Sequence, residues 1–263
     1  MEKKLRIALA QLSVIDGNKN ENLKKVEMAL KKASDGSADI LILPELNLSG
    51  SVSLEQMKIL AERRESESFK RIQDMVKIYP VAVLYSFPEY VSEEEMYITS
   101  CLMDKEGEAL AYYRKTHLFT EENQLFSQGN ELVKMSLGGI SIGLLTCYDI
   151  EFPEPARALA LQGVEVLLVI SANMAPYEYI HRLLICARAL ENQCFVVYCN
   201  RIGRNEKFTY HGQSAVIGPD GQVVTEIKED LESVKIVDLS IEEIQKSTSV
   251  FHYITERRTD LYH

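Results

Sequence analysis

Three side chains able to do covalent or acid–base chemistry each follow directly on an apolar run. Glu45 closes Leu41-Ile42-Leu43-Pro44-Glu45, Lys115 follows Ala111-Tyr112-Tyr113-Arg114, and Cys147 follows Leu144-Leu145-Thr146. Apolar runs of this length read as buried strands, and the ends of strands in α/β folds are where ligand sites form. Taken singly each residue has an ordinary reading: a solvated loop acid, an exposed loop lysine, a small core thiol. Taken together they make a working set for acyl transfer. A thiol attacks only as thiolate and needs a neighbouring base or cation to become one. A carboxylate can take that proton and return it to a leaving amine. An ammonium, with the backbone N–H of the residue after the nucleophile, can hold the oxyanion of a tetrahedral intermediate. No histidine is required, and nothing around Cys147 matches the local signature of a papain-like Cys/His pair.

The elements that must position these groups alternate between short β-branched runs and longer amphipathic ones. Strands are expected at Leu5–Leu12, Asp39–Leu43 and Val81–Phe87, with helices at Asn20–Ala33 and Leu54–Tyr79, the latter broken near residues 65–68. Met96–Met103 and Glu108–Arg114 read as a hairpin about Asp104-Lys105-Glu106-Gly107. Thr116 to Gly129 has no clean period and reads as a long loop, which is more often functional than idle. Further strands are expected at Leu132–Ser136, Ile140–Leu145, Val164–Ile170, Phe195–Asn200, Gln213–Ile217, Val223–Ile227 and Val234–Asp238. Helices are expected at Pro153–Leu161, at Tyr179–Glu191 and from about Ile241. The expectation is one domain over residues 1–263, an α/β fold with mixed sheets, about a dozen strands and four or five helices.

Composition removes several alternatives. Of 263 residues, 46% are apolar and 26% charged, which excludes a disordered chain. The formal charge of −10 makes nucleic acid and anionic membrane surfaces poor partners. No run is long enough to span a bilayer, and Met1 to Gln11 does not read as a secretory signal. Five cysteines without a C-x-x-C, and five scattered histidines, suggest reduced thiols in a cytoplasmic protein and no metal centre.

Three segments carry a resemblance. Leu41-Ile42-Leu43-Pro44-Glu45, Tyr113-Arg114-Lys115-Thr116-His117-Leu118 and Cys147-Tyr148-Asp149-Ile150-Glu151-Phe152-Pro153-Glu154 resemble the signature blocks of the nitrilase, or carbon–nitrogen hydrolase, superfamily. The likeness starts at Ala10-Gln11 and runs through Ser171-Ala172-Asn173, Arg188-Ala189-Leu190-Glu191-Asn192 and Asn200-Arg201-Ile202-Gly203 to Gly212-Gln213-Ser214. It implies a four-layer α-β-β-α sandwich, no cofactor, and a homodimer or higher even-numbered oligomer, with the tail from about residue 247 to 263 at the interface. It makes Glu45 the general base and acid, Lys115 the oxyanion stabiliser and Cys147 the nucleophile, with Tyr148 lending its backbone N–H. A second glutamate is expected in the loop after the lysine. Glu121 and Glu122 both qualify, and the distance to Gly129 favours Glu122.

The same resemblance narrows the substrate to a small amide. Tyr148-Asp149 resembles the amidase and carbamoylase branches. Glu151 stands where many relatives of carboxylate-bearing amides carry arginine, and a negative charge there would repel such substrates. Neutral or amine-bearing aliphatic amides are therefore favoured, with Asn173, Met174 and Tyr177 lining the acyl pocket. An alternative is that Glu151 pairs with an arginine such as Arg157. N-carbamoyl hydrolysis, ω-amide hydrolysis and nitrile hydrolysis remain open, as does a non-catalytic binding module.

Overall fold

The first strand already shows the logic of the fold: alternate residues serve two different cores. In the computed structural model, which describes residues 3–228 and 230–261, β1 (Lys4–Gln11) points Leu5, Ile7 and Leu9 one way and Ala8 and Ala10 the other. A strand sends successive side chains to opposite faces, so both faces of this sheet must be covered. The chain continues through α1 (Lys19–Asp35), β2 (Ile40–Ile42), α2 (Leu54–Leu60), α3 (Glu67–Ile78), β3 (Ala82–Ser92), β4 (Glu95–Met103) and β5 (Ala109–Arg114). Next come β6 (Val133–Leu137), β7 (Ile140–Thr146), α4 (Pro153–Leu161), β8 (Val166–Ser171), α5 (Glu178–Asn192) and β9 (Phe195–Asn200). The remainder is β10 (Ile202–Arg204), β11 (Thr209–His211), β12 (Ala215–Ile217), β13 (Val223–Glu226), β14 (Ser233–Ser240) and α6 (Glu242–Thr248).

Two six-stranded mixed sheets result, ordered β14-β1-β2-β3-β4-β5 and β13-β12-β9-β8-β7-β6. Ile7, Leu9, Ile40, Ile42 and Leu84 of the first share one core with Ile142, Leu144, Val166 and Leu168 of the second. On its other face the first sheet packs Ala8, Ala10, Leu41 and Val83 against Leu23, Val26 and Leu30 of α1 and Ile72 and Val76 of α3. Ala156 and Leu159 of α4, with Ile185 and Ala189 of α5, cover the second sheet. The expected α-β-β-α sandwich is what forms.

Differences of detail have local causes. Among the described residues there are fourteen strands and six α-helices, more than expected, because β10 and β11 are three-residue strands too short to show alternation. The long helical region breaks between Leu60 and Glu67, where Ser66 caps α3 by accepting the Phe69 N–H and Glu65 sits at φ +58°. Of the expected interface tail, residues 262 and 263 lie outside the described residues. Among the described residues no helix is long and apolar enough to cross a membrane.

Candidate active site

The site lies where the ends of β2, β5, β7 and β8 meet, so both sheets contribute. Glu45 follows β2, and its backbone N–H reaches across the sandwich to the Ser171 carbonyl at 3.3 Å. Its carboxylate divides its bonds: Oε2 accepts the Ala172 N–H at 3.0 Å and Oε1 accepts from Lys115 Nζ at 2.8 Å. Lys115 follows β5 and is fully buried, and its ammonium also meets both oxygens of Glu122, at 3.0 and 2.9 Å. Burial alone would lower the Lys115 pKa, but the charges of Glu122 and Glu45 hold it well above its usual value. The lysine is therefore a permanent buried cation clamped between two carboxylates.

Glu122 comes from the long loop, which makes a short 3-10 turn over Thr120–Gln124. Its Oε2 also accepts the Phe119 N–H at 2.7 Å, which fixes its approach to Lys115. Burial raises its pKa, partly countered by Lys115. Glu121 points elsewhere: it is 65% exposed and pairs with Lys207 at 2.7 Å. Gly129 closes the loop by donating its N–H to the Lys115 carbonyl at 2.8 Å.

Cys147 opens a 3-10 turn directly after β7, and its φ of +50° places it in the left-handed region. That conformation is strained for a side chain with a Cβ, and such strain recurs where a nucleophile is presented on a sharp turn after a strand. The thiol feels Glu45, Lys115 and Glu122 electrostatically and lies within hydrogen-bonding reach of the Ser171 hydroxyl. Burial pushes its pKa up, the Glu45 charge pushes it further, and Lys115 opposes them. Of the two carboxylates around Lys115, Glu45 acts on the thiol more strongly than Glu122.

Asp149, two residues on, stands in the sequence only as part of a motif, and in the structure it is the hub of the site. Fully buried, it accepts Thr116 Oγ1 at 2.8 Å, the His117 N–H at 2.8 Å, Tyr113 Oη at 2.6 Å and the Thr146 N–H at 2.9 Å. One carboxylate thus joins the segment carrying Lys115 to the turn carrying Cys147. Sequence spacing could not show this, because the partners are 32 to 36 residues apart apart from Thr146.

The remaining expected residues are placed as follows. Tyr148 packs edge-on against Phe119 at 5.3 Å and Phe152 at 5.0 Å, and the half-exposed Tyr177 approaches Phe119 at 6.4 Å. Met174 is half-buried, and its carbonyl accepts the Tyr177 N–H at 2.9 Å. Asn173 is buried and bonds within its own loop: its amide donates to the Tyr177 carbonyl at 3.2 Å and its oxygen accepts the Met174 N–H at 2.9 Å. Glu151 does not pair with Arg157. Its Oε1 lies 3.1 Å from His181 Nε2, while Arg188 takes the Glu151 backbone carbonyl at 3.0 Å. A groove of about 440 Å³ flanks the Lys115 loop, lined by Thr116, His117, Phe152 and Pro155 among others, but it does not include Glu45, Lys115 or Cys147. Among the described residues no group of three or more His, Cys, Asp or Glu is arranged to hold a metal ion.

Comparison with known proteins agrees with this architecture. The carbon-nitrogen hydrolase family profile matches residues 6–248. An (R)-stereoselective amidase of a Pseudomonas species is 37% identical over 97% of this chain and 92% of its own length. The 2-oxoglutaramate amidase of Bacillus subtilis is 33% identical over 98% of this chain and all of its own. A mutant of a nitrilase-superfamily amidase from Nesterenkonia superimposes with a TM-score of 0.85 at 30% identity, covering 98% of this chain and 95% of that one. Another mutant of that amidase shows covalent addition of the acetamide moiety of fluoroacetamide at its active-site cysteine. With that profile spanning nearly the whole length and the fold shared with solved amidases, the chain belongs to the carbon–nitrogen hydrolase family of enzymes.

Proposed function

We propose that this enzyme hydrolyses the C–N bond of a small amide to a carboxylic acid and ammonia through a thioester on Cys147. The observation that carries the reading is Lys115, a buried ammonium bonded to both Glu45 and Glu122 and electrostatically coupled to the Cys147 sulfur. In the proposed cycle Cys147 Sγ attacks the carbonyl carbon while its proton passes to Glu45. The oxyanion is held by the Lys115 ammonium and the Tyr148 backbone N–H. Collapse breaks the C–N bond, ammonia leaves with the proton from Glu45, and a thioester remains. Water then gives a proton to Glu45 and attacks the thioester. The acid departs and the proton returns to the sulfur. Glu122 orients Lys115 throughout.

Neutral or amine-bearing aliphatic amides are the preferred class. Phe119, Tyr148, Tyr177 and Met174 offer an apolar wall, and the Glu151 carboxylate adds negative charge near it. The likeness to a 2-oxoglutaramate amidase supports a second reading, a carboxylate-bearing ω-amide. One screen separates them: ammonia release from matched neutral, cationic and carboxylate amides, with N-carbamoyl amines and nitriles alongside. A clear preference for the carboxylate member would overturn the first reading. Ammonia release by Cys147→Ala at the wild-type rate would overturn the nucleophile, and no turnover of any member would favour a binding module.

We also infer a homodimer through the helices over the second sheet. Leu161 of α4, Tyr179 and Leu183 of α5, and Val250 and Phe251 beyond α6 are large apolar side chains left exposed. Sedimentation analysis reads the mass directly, and a monomer at micromolar concentration would end this reading. Five unpaired cysteines, three of them buried, support a reducing, cytoplasmic setting.

A further inference from the structure

A line of hydrogen-bonded side chains runs from Ser171, beside Cys147, to Glu151. Ser171, the last residue of β8, is fully buried, and its hydroxyl lies within hydrogen-bonding reach of the Cys147 thiol. Its Oγ also accepts the Asn173 N–H at 3.1 Å. Tyr198 of β9 places its Oη 3.2 Å from Ser171 Oγ and 2.9 Å from His181 Nδ1. His181 Nε2 lies 3.1 Å from Glu151 Oε1. His181 and Tyr198 are each 2% exposed, whereas the Glu151 side chain is 24% exposed. Three side chains from three separate segments, His181, Tyr198 and Ser171, therefore connect the partly exposed Glu151 with Cys147.

We propose that Glu151, His181 and Tyr198 are positioning residues that set which way the Ser171 hydroxyl faces the Cys147 sulfur. This rests on Cys147 being the nucleophile. Tyr198 Oη donates to Ser171 Oγ, and the Asn173 N–H donates to the same oxygen. With two donors on that oxygen, the single Ser171 hydrogen is left to face the sulfur. A hydroxyl hydrogen aimed at sulfur stabilises it as an anion, the form in which it leaves when water opens the thioester. Tyr198 spends its one hydrogen on Ser171, so His181 Nδ1 donates to the Tyr198 oxygen, and Glu151 holds the ring from the Nε2 side. Tyr198 stays protonated, since burial and the Cys147 charge raise its pKa well above the usual value.

Charged groups surround His181. Glu151 faces it from the turn after Cys147. Arg182 and Glu178 adjoin it on α5, and Arg182 is paired with Glu226 of β13. Tyr198 faces it from β9, and Cys147 lies beyond Ser171. Glu151 is thus the anion bonded directly to the ring.

The test uses the full chain and two independent readouts. Alkylation of Cys147 by iodoacetamide is followed against pH, with Cys147→Ala giving the background from the other four thiols. Ammonia release supplies kcat and KM. Tyr198→Phe keeps the ring and its packing but breaks both hydrogen bonds. It should raise the midpoint of the alkylation profile by about one pH unit and lower kcat about tenfold, with KM held within about a factor of two. Glu151→Gln, at the solvent end and able to keep its bond to His181, should move the midpoint the same way by less. An unshifted midpoint in Tyr198→Phe overturns the relay, even if kcat falls, because that pattern belongs to packing. If Cys147→Ala alkylates as fast as wild type, the nucleophile reading fails and the relay with it.

Discussion

The Asp149 carboxylate accepts the Tyr113 hydroxyl at 2.6 Å, and the two residues flank the chemistry symmetrically. Tyr113 stands two positions before Lys115 and Asp149 two positions after Cys147. Burial and the Asp149 charge raise the Tyr113 pKa well above its usual value, so the tyrosine is a permanent donor. The separation between ammonium and sulfur is thereby set by a bond that includes neither.

Asp149→Asn tests this relationship. An asparagine turns one oxygen into an amide donor facing donors, either Tyr113 and Thr146 or Thr116 and His117. Leaving such buried groups unsatisfied should cost about 2–4 kcal/mol of stability. Thermal unfolding measures that loss. The rate should fall through kcat while KM changes little, because the displaced groups hold catalytic residues and not substrate. A variant with wild-type Tm and kcat would show that the hub carries no weight.

The two adjacent glutamates should behave oppositely. Glu122→Gln removes one of two anions holding the buried Lys115, and should reduce kcat by on the order of tenfold to a hundredfold. Glu121→Gln removes only an exposed pair with Lys207, a type of contact worth about 1 kcal/mol or less, and should leave kcat near wild type. Steady-state ammonia release on one amide decides both. Equal losses in the two variants would contradict the geometry.

Gly129 has a role in which any side chain interferes. A Cβ there would lie 2.1 Å from the Arg114 carbonyl oxygen, and backbone cannot yield as a flexible side chain would. Gly129→Ala should therefore lower stability by about 1–3 kcal/mol and displace the Lys115 backbone to which the glycine bonds. Unfolding and kcat should fall together. A stable variant with full activity would mean that the loop has slack.

What was legible in the sequence follows from how local each signal is. Glu45, Lys115 and Cys147 stand out because each is the first reactive residue after an apolar strand, a pattern contained in about five residues. α4 runs from Pro153 to Leu161 as expected, since proline suits a first turn. Roles that depend on distant partners were not legible. His181 reads as one more residue on an amphipathic helix until Tyr198 and Glu151 are brought to its two nitrogens. Asn173 reads as a pocket-lining residue until its bonds to Tyr177 and Met174 show that it also shapes the loop. Arg157 and Glu151 are six positions apart across a turn-to-helix junction, and the fold directs Glu151 to His181 instead.

Acid should weaken the protein partly through Glu89, the residue that anchors Arg114 beside Lys115. Its buried carboxylate accepts Arg114 Nε and Nη2 at 2.9 Å each and Thr99 Oγ1 at 2.7 Å, with Arg64 Nε at 2.7 Å. Burial raises its pKa, but the bonds from Arg114, Thr99 and Arg64 more than offset this and hold the carboxyl below the usual value of 4.5. A pKa lower in the folded state than in the unfolded state means that stability is present above the unfolded value. It is lost as pH falls through the folded one. Glu89→Gln should therefore be less stable than wild type at neutral pH, and the difference should shrink steadily below about pH 4.5. Unfolding midpoints in denaturant, taken from pH 7 down to pH 3, measure the gap. A difference that stays constant across that range would show that Glu89 acts through shape and hydrogen bonding alone, with no contribution from its charge.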